Sequence, residues 1–486
     1  MRGARSYLLS AYGALLVVGL TWPFLLPGEA FALRDMMVLP DMALTRASLG
    51  FGDLPARNVP QDALLGVLPF PVLFVRALLI GSACTAAFAG YRLGTHTLGK
   101  AAAMTVAVWN PFVIERLLQG QWSLAAAAWL VPLVALGGRS GPLAQWAASL
   151  TPTGALASAC FVRNRVGAVV AVLACAPWMV AGALAAGGGT ATAESAAAFA
   201  PRAEQHVGTL GALMGLGGIW NSAAVPASRA TGFALFGIPL FVLLALGWRA
   251  VPRRWLALAG VGFAVALASW AGVSEPIVTH VPGGGLVRDA QKWLILAIPA
   301  FVAAAGALTP RRAAAALACA LLQVPDGAVS VEKLRPVAVD TPVVAHAGRD
   351  VFFAERTPLT LVRGEPTVDP APKLMNVVES GALLVDGALV DPPSPRWRAA
   401  HEVISQEPVD AARLRELEVG LVVYPDGRVL DTGAPARGLP PVGLVLFAGY
   451  LAALAYALVA LSYALVALRR SRSSSAKVPG SRTETA

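Results

Sequence analysis

Charge is scarce in this sequence. Only 14% of its 486 residues are Asp, Glu, Lys or Arg, against 56% hydrophobic, and its mean hydropathy is +0.64. A chain this apolar cannot hide its surface in one soluble core, so it reads as a polytopic membrane protein. Cysteine is scarce as well. The four present, Cys84, Cys160, Cys175 and Cys319, sit in apolar segments without CxxC or Cys/His spacing, and they read as small apolar residues rather than metal ligands. Nothing matches a P-loop, GxGxxG, HExxH or GxSxG in its proper setting, which removes nucleotide-driven and hydrolase readings. The histidines, His96, His206, His280, His346 and His401, are isolated. No internal repeat is evident, which disfavours transporter folds built on inverted repeats. The net charge is +10, but no basic stripe interleaves with aromatics, so nucleic acid is not expected as a partner.

The charges that are present fall into an order. Basic clusters, from Arg92 and Lys100 through Arg163, Arg165, Arg249, Arg253, Arg254, Arg311 and Arg312 to the tail, alternate with apolar runs, and the carboxylates occupy the other connections. By the positive-inside rule both termini are cytoplasmic and the first loop lies outside the plasma membrane. Met1 to Arg5 ahead of Leu8 to Leu26 reads as a retained first helix rather than a cleaved signal peptide, because the run matches the ~20 residues a span takes. An acidic outer loop, 27–66, follows. Further spans are predicted at 67–90, before Trp109-Asn110-Pro111, from Trp122, and at 166–186, 231–248, 254–272, 291–308 and up to Leu322. The segment 142–162 reads as two short helices, since a single crossing would invert every later basic cluster. The predicted fold is an all-α polytopic membrane protein of about 10 to 12 transmembrane helices. Residues 1–323 form its membrane domain and 324–439 a small extracytoplasmic α/β domain. A final helix, 440–468, leads to a basic tail, 469–486, that reads as disordered.

Three constellations and one isolated charge could carry chemistry. Asp35, Asp41, Asp53 and Asp62 gather in the first loop, as solvated acids, as helix caps, or as a general base. In Arg288-Asp289-Ala290-Gln291-Lys292, a helix starting near Leu286 would put Arg288 and Lys292 on one face. That pair suits a phosphate group, and it equally suits interfacial anchoring. In the stretch Trp109 to Trp122, Glu115 and Gln119 are one turn apart with Arg116 and Gln121 close by, suited to sugar hydroxyls or to a capped loop. Arg76 lies inside the apolar run Val67 to Ile80, where a charge costs at least about 2.5 kcal/mol unless it is paired. Asp62 or Glu115 is its expected partner.

Taken together, Arg34-Asp35-Met36-Met37-Val38, Val59-Pro60-Gln61-Asp62, Asn110-Pro111-Phe112 with Glu115-Arg116-Leu117-Leu118, Gln119-Gly120-Gln121-Trp122, Arg288 to Lys292 and Asp369-Pro370-Ala371-Pro372 resemble the GT-C superfamily of polytopic glycosyltransferases. The resemblance is closer to a group of actinobacterial membrane proteins within it. It implies a general base from the first loop, for which Asp35 is the best match and Asp41 and Asp62 are rivals. It implies a polyprenyl-phosphate sugar donor, with Arg288, Lys292 and Arg116 countering phosphate charge. Arg34, Arg76, Glu115, Gln119, Gln121, Asp289 and Gln291 would surround the substrates. The sugar would be mannose or arabinose, and the acceptor an envelope glycan or secreted protein in cell-wall biogenesis. Several superfamily members carry paired acids where this loop has Arg-Asp, so no cofactor is assigned and a divalent cation stays open. The alternative from another class is a non-catalytic translocase or transporter of lipid-linked glycans.

Overall fold

A computed structural model describes residues 2–184, 191–281, 283–385 and 387–475. The chain is mostly helical, 59% helix and 8% strand, with small sheets. Among the described residues, seven helices are long and apolar enough to cross a membrane: Ser6–Leu25, Pro71–Leu93, Thr97–Leu118, Arg165–Leu184, Ala290–Ala307, Pro310–Leu334 and Pro441–Ala467. Other predicted crossings are built from shorter pieces. Trp122–Leu136 and Phe233–Leu246 are apolar but short. Arg253–Trp270 opens on two arginines. Residues 142–162 break into Gly141–Ala148 and Pro152–Ala159, with Thr151 capping the second through the Gly154 N–H. Proline opens several helices at the first position, including Pro71, Pro111 and Pro310, where no N–H is needed.

Thr97–Leu118 and Trp122–Leu136 form the centre of the bundle. Nearly all their side chains are buried, and the Trp129 indole N–H donates to the Val108 carbonyl at 3.1 Å. Peripheral helices instead show apolar faces outward: Leu73 is 61% exposed, Val172 69% and Val445 71%. In water each would forgo roughly 1.5–3 kcal/mol of burial, so these are faces for lipid. The last helix packs on Gly141–Ala148 and Arg165–Leu184, with Tyr450 stacked on Trp146 at 5.0 Å. It runs to Ser475, past its predicted end at 468, and the predicted tail beyond, 476–486, lies outside the described residues.

Residues 324–439 hold a three-stranded sheet in which Leu421–Val423 lies between parallel Val351–Phe353 and antiparallel Val429–Asp431. Two hairpins, Leu359–Val362 with Glu365–Val368 and Leu383–Val385 with Ala388–Asp391, flank it. Helices Pro395–Ile404 and Ala411–Glu416 close a core of Phe352, Ala400, Leu414, Val419 and Val422. The first loop docks onto this unit through four ion pairs: Arg34 with Glu365 at 3.1 Å, Asp53 with Arg396 at 3.3 Å, Arg57 with Asp391 at 3.8 Å and Asp62 with Lys373 at 2.6 Å.

Candidate functional site

The first loop begins as a hairpin, Phe31–Leu33 paired with Met36–Val38, and Leu33 faces Met36, so Arg34 and Asp35 alone make the turn. Arg34 takes a left-handed φ of 49°, which a residue with a Cβ adopts only when its surroundings hold it. Here they do. Its N–H donates to the Pro366 carbonyl at 2.7 Å and its own carbonyl accepts from the Val368 N–H at 2.9 Å. Its guanidinium reaches the carbonyls of Leu118 at 2.5 Å and Ala223 at 2.9 Å, besides Glu365. Arg34 is thus committed, through its main chain and both terminal guanidinium nitrogens, to holding the turn, and Asp35 projects from its tip.

The turn Gln119-Gly120-Gln121 presses against that tip. The Asp35 N–H donates to the Gln119 carbonyl at 3.1 Å, and Gly120 has φ 82° with no room for a Cβ, which would meet the Leu33 carbonyl oxygen at 2.2 Å. From there a chain of polar contacts runs inward. The Gln121 amide donates to the Asp35 carboxylate at 3.1 Å and accepts from Arg116 at 2.7 Å. Arg116 grips both oxygens of Asp289, at 2.5 and 3.1 Å, and also donates to Gln291. Gln291 is held in turn by the carbonyls of Leu216 and Gly217 at 3.2 and 3.3 Å.

Asp35 is solvent-exposed although protein surrounds it deeply, and the same holds for Arg57 and, half-exposed, for Lys292. Side chains of this kind line a recess open to solvent. Lys292 lies within electrostatic reach of Asp289, Arg116, Arg288 and Arg57, and Arg57 within reach of Asp35. Among the described residues Lys292 has no ion-pair partner. Burial pushes the Asp35 carboxyl above the usual carboxylate range, against the hydrogen bonds of Gln121 and Gln119; Asp289 adds to the rise and Arg57 opposes it. For Asp289 burial pulls upward too, but the charge and hydrogen bonds of Arg116, with Lys292 and Arg288, hold its carboxyl below that range. The recess therefore contains two unlike carboxylates: one basic and open, one locked as an ion. Among the described residues no three His, Cys, Asp or Glu gather as metal ligands.

The other predicted residues have different surroundings. Arg288 does not stack over Lys292 on an α-helical face, because Asp289, with ψ 78°, interrupts the backbone and residues Ala290–Ala297 wind as a 3-10 helix. Its guanidinium turns to Asp391 at 2.7 Å and Ser195 at 2.7 Å, over the Phe199 ring. Glu115 faces Arg229 at 3.5 Å and accepts from the Ile219 N–H, and Arg229 pairs with Glu204 at 2.6 Å, all fully buried. The Gln119 side chain accepts from Asn221 at 2.7 Å. Asp62 is committed to Lys373, and Asp41 is exposed. Arg76 is met by neither Asp62 nor Glu115. Its partners are the carbonyls of Phe24 at 2.9 Å, Leu26, and Gly28 at 3.0 Å, the chain end left open where the first helix stops. Arg57, Asp391 and Arg229 are additions that the sequence did not single out. Arg57, four residues past Asp53 in the acidic first loop, was the one with a signal to find.

No family model, curated protein or solved structure matches this chain.

Proposed function

We propose that the protein is an inverting membrane glycosyltransferase of GT-C type. It moves a sugar, mannose or arabinose, from a polyprenyl-phosphate donor to an envelope glycan or secreted protein, with its recess on the outer face of the plasma membrane and both termini in the cytoplasm. One observation carries this reading: Asp35, a basic carboxylate, opens into the same recess as Lys292 and Arg57, and among the described residues Lys292 has no ion-pair partner while the exposed guanidinium of Arg57 is paired only with Asp391 at 3.8 Å. Asp35 takes the proton of the acceptor hydroxyl as the acceptor oxygen bonds to the anomeric carbon. The bond from that carbon to the phosphate oxygen breaks on the opposite side, inverting the centre. Lys292 and Arg57 offset the charge left on the phosphate. Arg116, locked to Asp289, holds Gln121 and through it the orientation of Asp35. A translocase would instead need polar side chains continuing through the bundle.

The test compares membranes carrying wild type, Asp35→Ala and Asp35→Asn for transfer from radiolabelled polyprenyl-phosphate sugars. The expected loss is roughly 10²–10⁴-fold, the contribution of a positioned base. Because Asp35 must be ionised to act and its pKa is raised, the wild-type rate should fall as pH drops through a point above the ordinary ~3.9 of aspartate. Full activity in a well-expressed Asp35→Ala protein would overturn the assignment.

A further inference from the structure

A second cavity lies at the other end of the bundle, and it does not depend on the glycosyltransferase reading. Trp122–Leu136 and Ala290–Ala307 both start beside the Asp35 recess and run away from it, the first for about 22 Å at 1.5 Å per residue. Where they end, the connections 93–97, 136–141, 160–165, 247–253 and 307–310 come together. Leu93, Thr95, Leu136, Arg163, Pro252 and Trp255 are among the residues that enclose a cavity of about 320 Å³ there.

Two properties of this cavity point to one kind of occupant. Its walls are divided: Leu93, Leu136, Ala303 and Ala307 line the inner side, while the exposed guanidinium of Arg163 stands at the mouth. Among the described residues Arg163 has no ion-pair partner, and the loop carrying it is fixed by Arg254, which donates to the carbonyls of Cys160 at 2.6 Å and Val162 at 3.3 Å. The surroundings also hold cations only. The sequence contains no Asp or Glu between 63 and 114, 116 and 193, 205 and 274, or 290 and 325, so every connection at this end lacks a carboxylate. Arg92, Arg139, Arg165, Arg249 and Arg253 are exposed around the same rim. A half-apolar cavity at a membrane boundary, with a free guanidinium and no competing acid, matches a phosphodiester joined to a glycerol and its acyl chains.

We infer that the cavity bounded by Arg163 and Trp255 is a headgroup site for an anionic phospholipid of the leaflet opposite the Asp35 recess. Arg163 holds the phosphodiester, the rim arginines supply the surrounding positive potential, and Ala303 and Ala307 accept the glycerol end.

The experiment titrates purified full-length protein with phosphatidylglycerol and, separately, phosphatidylcholine, and counts bound lipids by native mass spectrometry. Phosphatidylglycerol is expected to occupy one saturable site that phosphatidylcholine does not fill. Arg163→Gln should weaken it roughly five-fold, the effect of about 1 kcal/mol per basic residue at an anionic surface. Arg311→Gln, exposed but outside the cavity, should leave it unchanged. Ala307→Leu keeps every charge and narrows the cavity, so it should also remove the bound lipid, and it serves if Arg163→Gln does not fold. Equal phosphatidylglycerol binding by wild type and Ala307→Leu, or equal losses in Arg163→Gln and Arg311→Gln, would overturn the site. So would displacement of the lipid by inorganic phosphate at comparable concentration, which would make the ligand a soluble anion.

Discussion

Gly120→Ala tests whether the contact between two turns sets the position of Asp35. The new Cβ would lie 2.2 Å from the Leu33 carbonyl oxygen, 2.4 Å from the Met36 nitrogen and 2.8 Å from the Asp35 nitrogen. All three are main-chain atoms, so no rotamer change relieves the overlap. An ordinary contact begins at 3.4 Å, so the hairpin tip must retreat by roughly 1 Å. Two stability terms follow. A non-glycine residue at φ 82° costs about 1–2 kcal/mol, and losing the bond from the Asp35 N–H to the Gln119 carbonyl about 1 kcal/mol more. Gly138→Ala is the control, because Gly138 has φ 90° but a Cβ added there would meet nothing within 4 Å, so only the conformational term applies. Thermal unfolding of the purified proteins should rank Gly120→Ala below Gly138→Ala. Transfer assays should show about a 10²-fold rate loss for Gly120→Ala alone, since a 1 Å displacement of a reacting group has that effect. Equal stability and equal transfer in the two variants would show that the contact between the turns does not position Asp35.

Lys292→Gln should leave thermal stability unchanged, because Lys292 has no ion-pair partner among the described residues, while raising KM for a polyprenyl-phosphate donor about ten-fold; an unchanged KM would remove it from donor binding. Lys373→Met leaves Asp62 largely buried without its partner, and the loss should be about 3 kcal/mol, read as faster limited proteolysis between 324 and 439. Burial, then the neighbouring Asp53, pushes the Glu379 carboxyl up to about 7. The folded state then holds this proton more tightly than the unfolded one, so its stabilising effect is full below the unfolded pKa of ~4.3 and is lost as pH rises toward 7. Melting temperatures measured from pH 5 to 8 should decline more in wild type than in Glu379→Gln, and parallel curves would contradict the assignment.

The helical membrane architecture was legible because apolar runs such as Pro71–Leu93 and Pro441–Ala467 announce themselves at any register. Short strands such as Val351–Phe353 and Leu421–Val423 fall on apolar runs of the same kind on a smaller scale. Pairings were not. Arg116 and Asp289 are 173 residues apart, and nothing in either neighbourhood names the other. Glu204 and Arg229 lie in a stretch rich in Gly and Ala, where a fully buried ion pair leaves no periodic trace. The stacking expected of Arg288 and Lys292 assumed an uninterrupted α-helix, and the backbone of Asp289, committed to Arg116, breaks that assumption. Arg76 illustrates the remaining gap: its partners are carbonyl oxygens, which every residue has and no sequence pattern marks.

The strand Glu365–Val368 has a meaning for how the protein can be divided. Its Pro366 carbonyl and Val368 N–H bond to Arg34, and Thr367 donates to the Arg34 carbonyl, so a strand encoded more than 330 residues downstream forms one edge of the turn that presents Asp35. The helical bundle and the 324–439 unit are therefore not interchangeable modules. A protein shortened to residues 1–323 would keep Asp35, Gln121, Arg116 and Asp289, yet present the hairpin with that edge unpaired and Arg34 without Glu365. Exchanging the 324–439 unit between related chains would require carrying this strand along with the loop it braces.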